Sequence, residues 1–368
     1  MGTMFPLGPF HPALAEPLAL RLRLRGERVT DVETPAGGPG GYSHRGALEL
    51  AEGLPLDDAL VILERVCARA GQSYRLALCL AVERIARPAM TRPAQLARTL
   101  FAELERLNSA LWTLGEIARA VDQRRLWGEA LDQREQVFDA ARVATGERVF
   151  WGVARPGGVR EGLTLASMRT FAEGATGIYD VWRQAMAPGG ALRQATEGLG
   201  RPLEGAPTAA ATEPPETPSE TSRLSAEDVR RAAPYGAYRM MTLDWDPLDE
   251  LDADAVDVTT RAARLVAGMK LSVDILVTCM EELEDESGLG SAPLKLTAGE
   301  GSAMAQSPHG PARVTVALDG AGAVESLRLE TPCAEMIARA PALLTGRALG
   351  EAPALLAALD LCPACAEL

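Results

Sequence analysis

Cys362 and Cys365 stand three residues apart in the stretch from Leu359 to Leu368. Cys67 lies far upstream in Glu64-Arg65-Val66-Cys67-Ala68-Arg69-Ala70. Two thiols at this spacing can converge on one metal, form a redox disulfide, or serve only as buried apolar groups. The upstream stretch reads as half of a matching pair, with Ala70 where a second cysteine would sit. Cys79, Cys279 and Cys333 have apolar neighbours and are assigned to packing. The three histidines differ in setting. His11 lies on a loop between Pro9 and Pro12, which is no core position, and reads as a functional, interface or loop-bonding residue. His44 and Arg45 follow a glycine-rich loop, Pro35 to Gly41, and either line a cavity or tie that loop to the first helix. His309 falls in a Ser-Pro-His-Gly loop and is expected to be solvated.

These residues must be held by two kinds of element. Leu18, Leu20, Leu22 and Leu24 alternate with Arg21, Arg23 and Arg25, which predicts a hairpin over residues 17–34 with one buried face. From Leu56 the period turns helical. Helices are predicted over Asp57 to Ala68, Ser73 to Ile85, Pro93 to Val121, Arg125 to Thr145 and Thr164 to Met186. A long, central and buried helix is predicted from Ala253 to Glu284. Residues 312–330 alternate again around Asp319-Gly320-Ala321-Gly322, a second hairpin. Two short helices, Ala334 to Leu344 and Glu351 to Leu359, lead to the last cysteines. The fold class is α+β, a mostly helical body with small antiparallel sheets near both ends. Five segments are expected: N-terminal hairpin and loops (1–50), helical core (51–202), a flexible Pro/Ala/Thr/Glu-rich insertion (203–224), the central long helix (225–290), and a hairpin with terminal helices (291–368). The acidic stretch Asp244 to Asp257 reads as a solvated face.

Composition excludes several classes. At 47% hydrophobic and 24% charged, the 368 residues are those of a globular protein. A net charge of -13 argues against bare nucleic acid as a partner. No run is long and apolar enough for a bilayer span and no signal peptide is visible, so the expected setting is cytoplasmic, with reduced thiols and any membrane contact made through partner chains.

Several stretches in a fixed order resemble the large subunit of membrane-bound [NiFe]-hydrogenases and its relative, the quinone-site subunit of NADH-quinone oxidoreductase (respiratory complex I). They are Gly8-Pro9-Phe10-His11-Pro12, Gly41-Tyr42-Ser43-His44-Arg45-Gly46, Leu50-Ala51-Glu52-Gly53, Glu64-Arg65-Val66-Cys67, Cys79-Leu80-Ala81-Val82-Glu83, Arg155-Pro156-Gly157-Gly158-Val159, Pro234-Tyr235-Gly236-Ala237-Tyr238, Gly299-Glu300-Gly301 and Cys362 to Cys365. In such hydrogenases two C-x-x-C pairs give four thiolates to nickel, two of them bridging to iron. The resemblance implies that Cys67 and Cys362 match terminal nickel ligands and that Cys365 matches a bridging one. Ala70 replaces the other bridging cysteine, so the centre is incomplete. Tyr74 stands where the family has a histidine. The R-G-x-E proton-relay glutamate falls on Leu48, one place before Glu49. Asp360-Leu361-Cys362 replaces Asp-Pro-Cys, and the chain ends without the tail that hydrogenase precursors carry. The complex I branch lacks the nickel cysteines and receives a quinone at a histidine that His11 matches and at a tyrosine whose position falls near Ala68.

The function implied is a large subunit of a membrane-attached redox complex on the cytoplasmic face. It would pass electrons between a [4Fe-4S] cluster in a small partner subunit and a pocket at the former nickel–iron site. That pocket would be lined by His11, His44, Arg45, Cys67, Cys362 and Cys365, with ion-translocating membrane subunits as further partners. Quinone binding and NAD chemistry belong to the complex I reading, and a catalytically silent structural subunit is the third. Arg155 to Val159 is expected to shape a turn against a partner.

Overall fold

Helix α3, Arg92–Ala120, is the long axis on which the other elements pack. Thr91 caps its first turn by accepting the Ala94 N–H at 3.3 Å, and Pro93 fits the start of a helix. Leu96, Leu100, Leu104, Leu107, Leu111 and Leu114 form its buried stripe, as the sequence predicts. The structure, a computed structural model, describes residues 2–34, 46–201, 228–253, 255–283 and 286–366. The expected insertion at 203–224, and His44 and Arg45, lie outside the described residues.

The remaining long helices are α1 (Leu56–Glu64), α2 (Gly71–Ala86), α4 (Arg124–Thr145), α5 (Ala166–Met186) and α6 (Val258–Glu282). Helices α4 and α6 flank α3, and α5 packs on both. Gly115 lets α3 and α4 approach closely, since a Cβ there would meet the Ala130 Cβ at 2.8 Å. Asp257 caps α6 through the Thr260 N–H at 2.9 Å, which sets its start several residues later than periodicity alone suggests. The N-terminal half of α6 buries one face (Val258, Ala262, Val266) and its C-terminal half is more enclosed, so it is central along only part of its length.

Three strands precede the helices: β1 (Thr3–Leu7), β2 (Leu20–Arg25) and β3 (Arg28–Glu33), in that order and antiparallel. The alternating leucines of β2 face the core. A two-stranded hairpin, β4 (Ala154–Arg155) and β5 (Gly158–Val159), follows α4. A second three-stranded sheet joins β6 (Gly299–Ser307), β7 (Gly310–Leu318) and β8 (Val324–Glu330). Strands β1 and β6 are additions to the expected hairpins. Strand β6 lies across α2 so closely that a Cβ on Gly301 would sit 2.2 Å from the Ala81 carbonyl oxygen.

One correction bears on the cysteines and their neighbours. Helix α1 stops at Glu64, not Ala68, and residues 65–70 form a turn. Gly71 returns so close to α1 that any Cβ would lie 2.1 Å from the Glu64 carbonyl oxygen, so the helix has to end for the chain to double back. The segment Arg155 to Val159 forms the expected turn and is anchored on this chain. Glu83 accepts the Gly157 N–H at 2.7 Å, Arg98 donates to the Gly158 carbonyl at 2.6 Å, and Gly158 abuts Gly290.

Glu103, on the buried face of α3, shows how the interior is tied. It accepts from Arg230 at 2.9 and 3.0 Å, from the Tyr238 hydroxyl at 2.5 Å and from Ser272 of α6 at 2.7 Å. Without Glu103, Arg230 keeps only its pairing with Asp228, at 2.7 Å, and the buried Tyr238 and Ser272 hydroxyls lose their acceptor. Glu103→Ala is therefore expected to lose about 3 kcal/mol of stability, measured by thermal unfolding. An unchanged transition would mean that Asp228 alone satisfies Arg230.

Glu105 tests the interior by pH. It accepts the Gln72 and Ser73 N–H groups at 2.7 and 2.9 Å and the Ser73 hydroxyl at 2.5 Å, capping α2 from outside that helix. Burial outweighs these donors and raises its pKa from the usual 4.5 to about 7. The folded chain then holds a proton that the unfolded chain releases. This group's contribution is full below pH about 4.5 and is lost as pH rises to about 7. Glu105→Gln is expected to gain stability relative to wild type across that window in unfolding titrations. Parallel profiles would show that Glu105 stays ionised in the fold.

Candidate metal centre

The turn between α1 and α2 carries Cys67. The other two cysteines follow helix α7 (Ala352–Ala358) and open and end the first turn of the short helix α8 (Pro363–Ala366). Asp360 makes the bend between them with a left-handed φ of 51°, which Asp tolerates better than most residues. The Cys365 N–H then donates to the Cys362 carbonyl at 3.1 Å and points both thiols inward.

Three of the residues singled out in the sequence meet here. The Sγ atoms of Cys67 and Cys362 are 3.5 Å apart, and those of Cys362 and Cys365 are 3.1 Å apart. All three cysteines are buried. The fourth member is one that sequence reasoning misses. His309, expected in solvent, is buried, and its Nε2 lies 3.7 Å from Cys67 Sγ. One donor atom from each of the four residues falls within 4.8 Å of the others. His309 gets there because Pro308 and His309 form the tip of the β6–β7 hairpin, closed by the Ser307 and Gly310 pair. That tip is driven into the core where β6 crosses α2. Without strand β6 the histidine has no route to the interior, and β6 is hard to see in the sequence. Its residues, Gly-Glu-Gly-Ser-Ala-Met-Ala-Gln-Ser, contain no β-branched or aromatic side chain and give no strand signal.

Other residues surround this quartet. Tyr74 of α2 donates its hydroxyl to Cys365 Sγ at 3.0 Å, and the Arg69 N–H donates to Cys67 Sγ at 3.4 Å. Cys333, assigned to packing, instead stands beside Cys365, and a hydrogen bond from that thiol holds its own pKa below the usual range. Cys79 and Cys279 are packing residues as expected, both fully buried. Hydrogen bonds from Cys362 and Cys365, and then His309, hold the Cys67 thiol well below its ordinary value. Burial, and hydrogen bonds to Cys333, Cys362 and Cys67, push Cys365 up.

Asp360 and Arg69 fix this arrangement. The Arg69 guanidinium donates to Asp360 Oδ1 at 2.5 Å, Glu16 at 2.9 Å, the Leu361 carbonyl at 2.7 Å and Thr113 at 3.4 Å. Thr113 also donates to Asp360 at 2.6 Å. The other oxygen of Asp360 lies 3.4 Å from His309 Nδ1, an ion-pair distance at which Nδ1 makes no hydrogen bond. Burial raises the pKa of Asp360, and Arg69 and His309 more than reverse it, leaving its carboxyl well below the usual range. Burial lifts Glu16 to about 7 despite Arg69. Asp360 also lines three clefts. One of about 50 Å³ runs past Glu16, Arg69 and Trp112, one of about 270 Å³ past His309 and Met336, and one of about 480 Å³ past Arg106 and Trp245.

The other sequence candidates sit elsewhere. His11 is half-buried. Its Nδ1 accepts the Ala13 N–H at 3.1 Å and its ring meets Phe5 edge-on, so it serves its own loop and stands outside the quartet. Leu48 is buried while Glu49 is exposed, so no carboxylate replaces the relay at that place. Ala70 is buried at the head of α2 and offers only a methyl group. The four donors that lie within 4.8 Å of one another are therefore three thiols and one imidazole, with the Cys333 thiol against Cys365 outside that group. A nickel–iron centre of the usual kind, which needs two bridging thiolates, does not fit it.

The chain is similar to known proteins over nearly all its length. The family described as respiratory-chain NADH dehydrogenase, 49 kDa subunit, matches residues 126–293. The carbon monoxide-induced hydrogenase of Rhodospirillum rubrum is 24% identical, spanning 98% of each chain. An NADH-quinone oxidoreductase subunit from Dehalococcoides mccartyi is 26% identical over 96% of this chain and 95% of its own. A chain of the membrane-bound sulfane sulfur reductase, an archaeal respiratory membrane complex, shares the fold with a TM-score of 0.83. That match is 21% identical and covers 100% of this chain and 98% of the other. The chain thus resembles, over almost its whole length, both a protein named as a hydrogenase and proteins named as a subunit of NADH-quinone oxidoreductase.

Proposed function

We propose that this chain is the large subunit of a membrane-attached redox complex whose substrate site lies around the cysteine–histidine quartet, and that it does not turn over hydrogen in the ordinary way. The observation that carries this reading is the convergence of Cys67, Cys362 and Cys365 in one buried cluster, reinforced by Arg69 and Asp360, in a chain homologous to both branches of the family. The pocket is kept, while the bridging thiolate and the relay carboxylate are lost at Ala70 and Leu48. An electron donor in this scheme is a [4Fe-4S] cluster in a small partner subunit. None of the described helices is long and apolar enough to cross a membrane, so attachment falls to partner chains that also move ions. Within the site, Glu16, with a pKa raised by burial to about 7, supplies a group that exchanges protons near neutrality.

Quinone binding in the manner of the complex I branch has weaker support. His11 Nδ1 is occupied by its own loop, and the cleft that runs past Arg69 and Glu16 measures about 50 Å³, so the volume a headgroup needs lies instead in the cleft of about 480 Å³ past Arg106 and Trp245.

Anaerobic affinity purification of the tagged chain from detergent-solubilised membranes tests the reading. Expected are co-purification of a small subunit with acid-labile sulfide, co-purification of membrane-embedded subunits, and viologen-linked hydrogen evolution at background. Recovery of the chain alone from the soluble fraction would overturn membrane attachment. Rapid hydrogen evolution would overturn the loss of turnover.

A further inference from the structure

We propose that Cys67, Cys362, Cys365 and Nε2 of His309 together hold a single divalent ion of the zinc class in a closed tetrahedral site, in place of the two-metal centre that the family resemblance implies. The proposal deepens the functional reading above and relies on it only for the setting in a complex.

Geometry comes first. Zinc bonds of about 2.3 Å to sulfur and about 2.0 Å to nitrogen give a tetrahedron with edges near 3.8 Å between sulfurs and near 3.5 Å from sulfur to nitrogen. The quartet has edges of 3.5, 3.1 and 3.7 Å, and every donor is within 4.8 Å of the rest. The four atoms need to move by no more than about an ångström to become a coordination shell. They come from three separate parts of the chain, so no local hydrogen-bond preference brings them together.

Donor chemistry points the same way. Three thiolates and one imidazole form a set that suits zinc and leaves no open position. The imidazole takes the fourth place, Ala70 offers only a methyl where the second thiol of the upstream pair would be, and Cys333 stands behind Cys365 outside the group of four donors. The surroundings complete the pattern. Asp360 stands 3.4 Å from Nδ1 of His309, the ring nitrogen not turned to Cys67, and that buried nitrogen has no hydrogen-bond partner, so a small turn of the ring onto the ion would give it the carboxylate by which metal-binding imidazoles are oriented. The Tyr74 hydroxyl and the Arg69 N–H donate to Cys365 and Cys67, which offsets the negative charge that three thiolates bring. Asp360 is here a positioning residue: it reaches the ion only through His309. Since zinc has no redox chemistry, the ion would tie the α1–α2 turn, the β6–β7 tip and the final turn together, and electrons would pass to a substrate in the neighbouring clefts.

The test is metal content, measured by mass spectrometry on the complex isolated without oxygen. The expected result is about one zinc per chain with nickel at trace level, falling by at least roughly tenfold in both Cys362→Ser and His309→Ala. Cells grown on cobalt should yield protein with ligand-field bands of tetrahedral cobalt and near-ultraviolet thiolate charge transfer. This readout needs no variant and covers the case in which the substitutions fail to fold. Asp360→Asn should weaken retention against a chelator by about 10–100-fold while leaving the cobalt spectrum tetrahedral. Nickel with iron carrying carbon monoxide and cyanide infrared bands would overturn the proposal. So would a metal-free chain whose thiols oxidise to a Cys67–Cys362 disulfide, or zinc undiminished in both variants. A chain purified with its zinc but without partners would keep the metal site and defeat the functional reading instead.

Discussion

Arg69 must keep its charge in a place nearly sealed from water, and the architecture around the cysteines follows from that requirement. A guanidinium cannot give up its proton, so burial has to be offset by acceptors. The chain supplies them from the N-terminal loop at Glu16, from α3 at Thr113, and from the final turn at Asp360 and Leu361. Each acceptor is far from Arg69 in sequence. Once the guanidinium is satisfied, the bend at Asp360 is fixed, and with it the direction of Cys362 and Cys365. The same carboxylate then lies 3.4 Å from His309, so one residue is placed against both the final turn and the imidazole.

The same device recurs through the helical body. Glu64 pairs with Arg75 at 3.1 Å, Glu83 with Arg98 at 2.6 Å, and Glu103 with Arg230 at 2.9 Å, all largely buried. In each case the arginine or its carboxylate also holds a loop: Arg75 the Ala154 carbonyl, Arg98 the Gly158 carbonyl, and Glu103 the Tyr238 hydroxyl. Such pairs add little net stability, because desolvation consumes most of the attraction. What they fix is which loop lies on which helix. A planar guanidinium with five donors can bind a carboxylate and a carbonyl at once, which a lysine ammonium does less well.

The sequence carries the elements more clearly than the site. The leucine stripe of α3 and the alternation of β2 and of β7 with β8 predict those elements because burial on one face writes a period into the chain. The order of short motifs points to the family, and with it to Cys67, Cys362 and Cys365. His309 is illegible, because its burial depends on β6, a strand made of small residues whose stability comes from lying against α2 and not from its own propensities. The break in α1 is hidden as well. It is set by the contact of Gly71 with the Glu64 carbonyl, a tertiary constraint with no local signature. The places of Cys333 and Tyr74 beside Cys365 escape for a similar reason, since apolar neighbours in sequence do not show which polar atom is nearest in space.

The two halves of the cluster are separated by 295 positions along the chain. During synthesis at about 5–20 residues per second, Cys67 emerges roughly 15–60 seconds before Cys362 exists. For that interval the first thiol of the centre stands without its partners. The nascent chain is open then to oxidants and to stray metal ions, in a way the finished protein is not. The order of translation thus makes the first cysteine a vulnerable waiting post, and the last turn the seal.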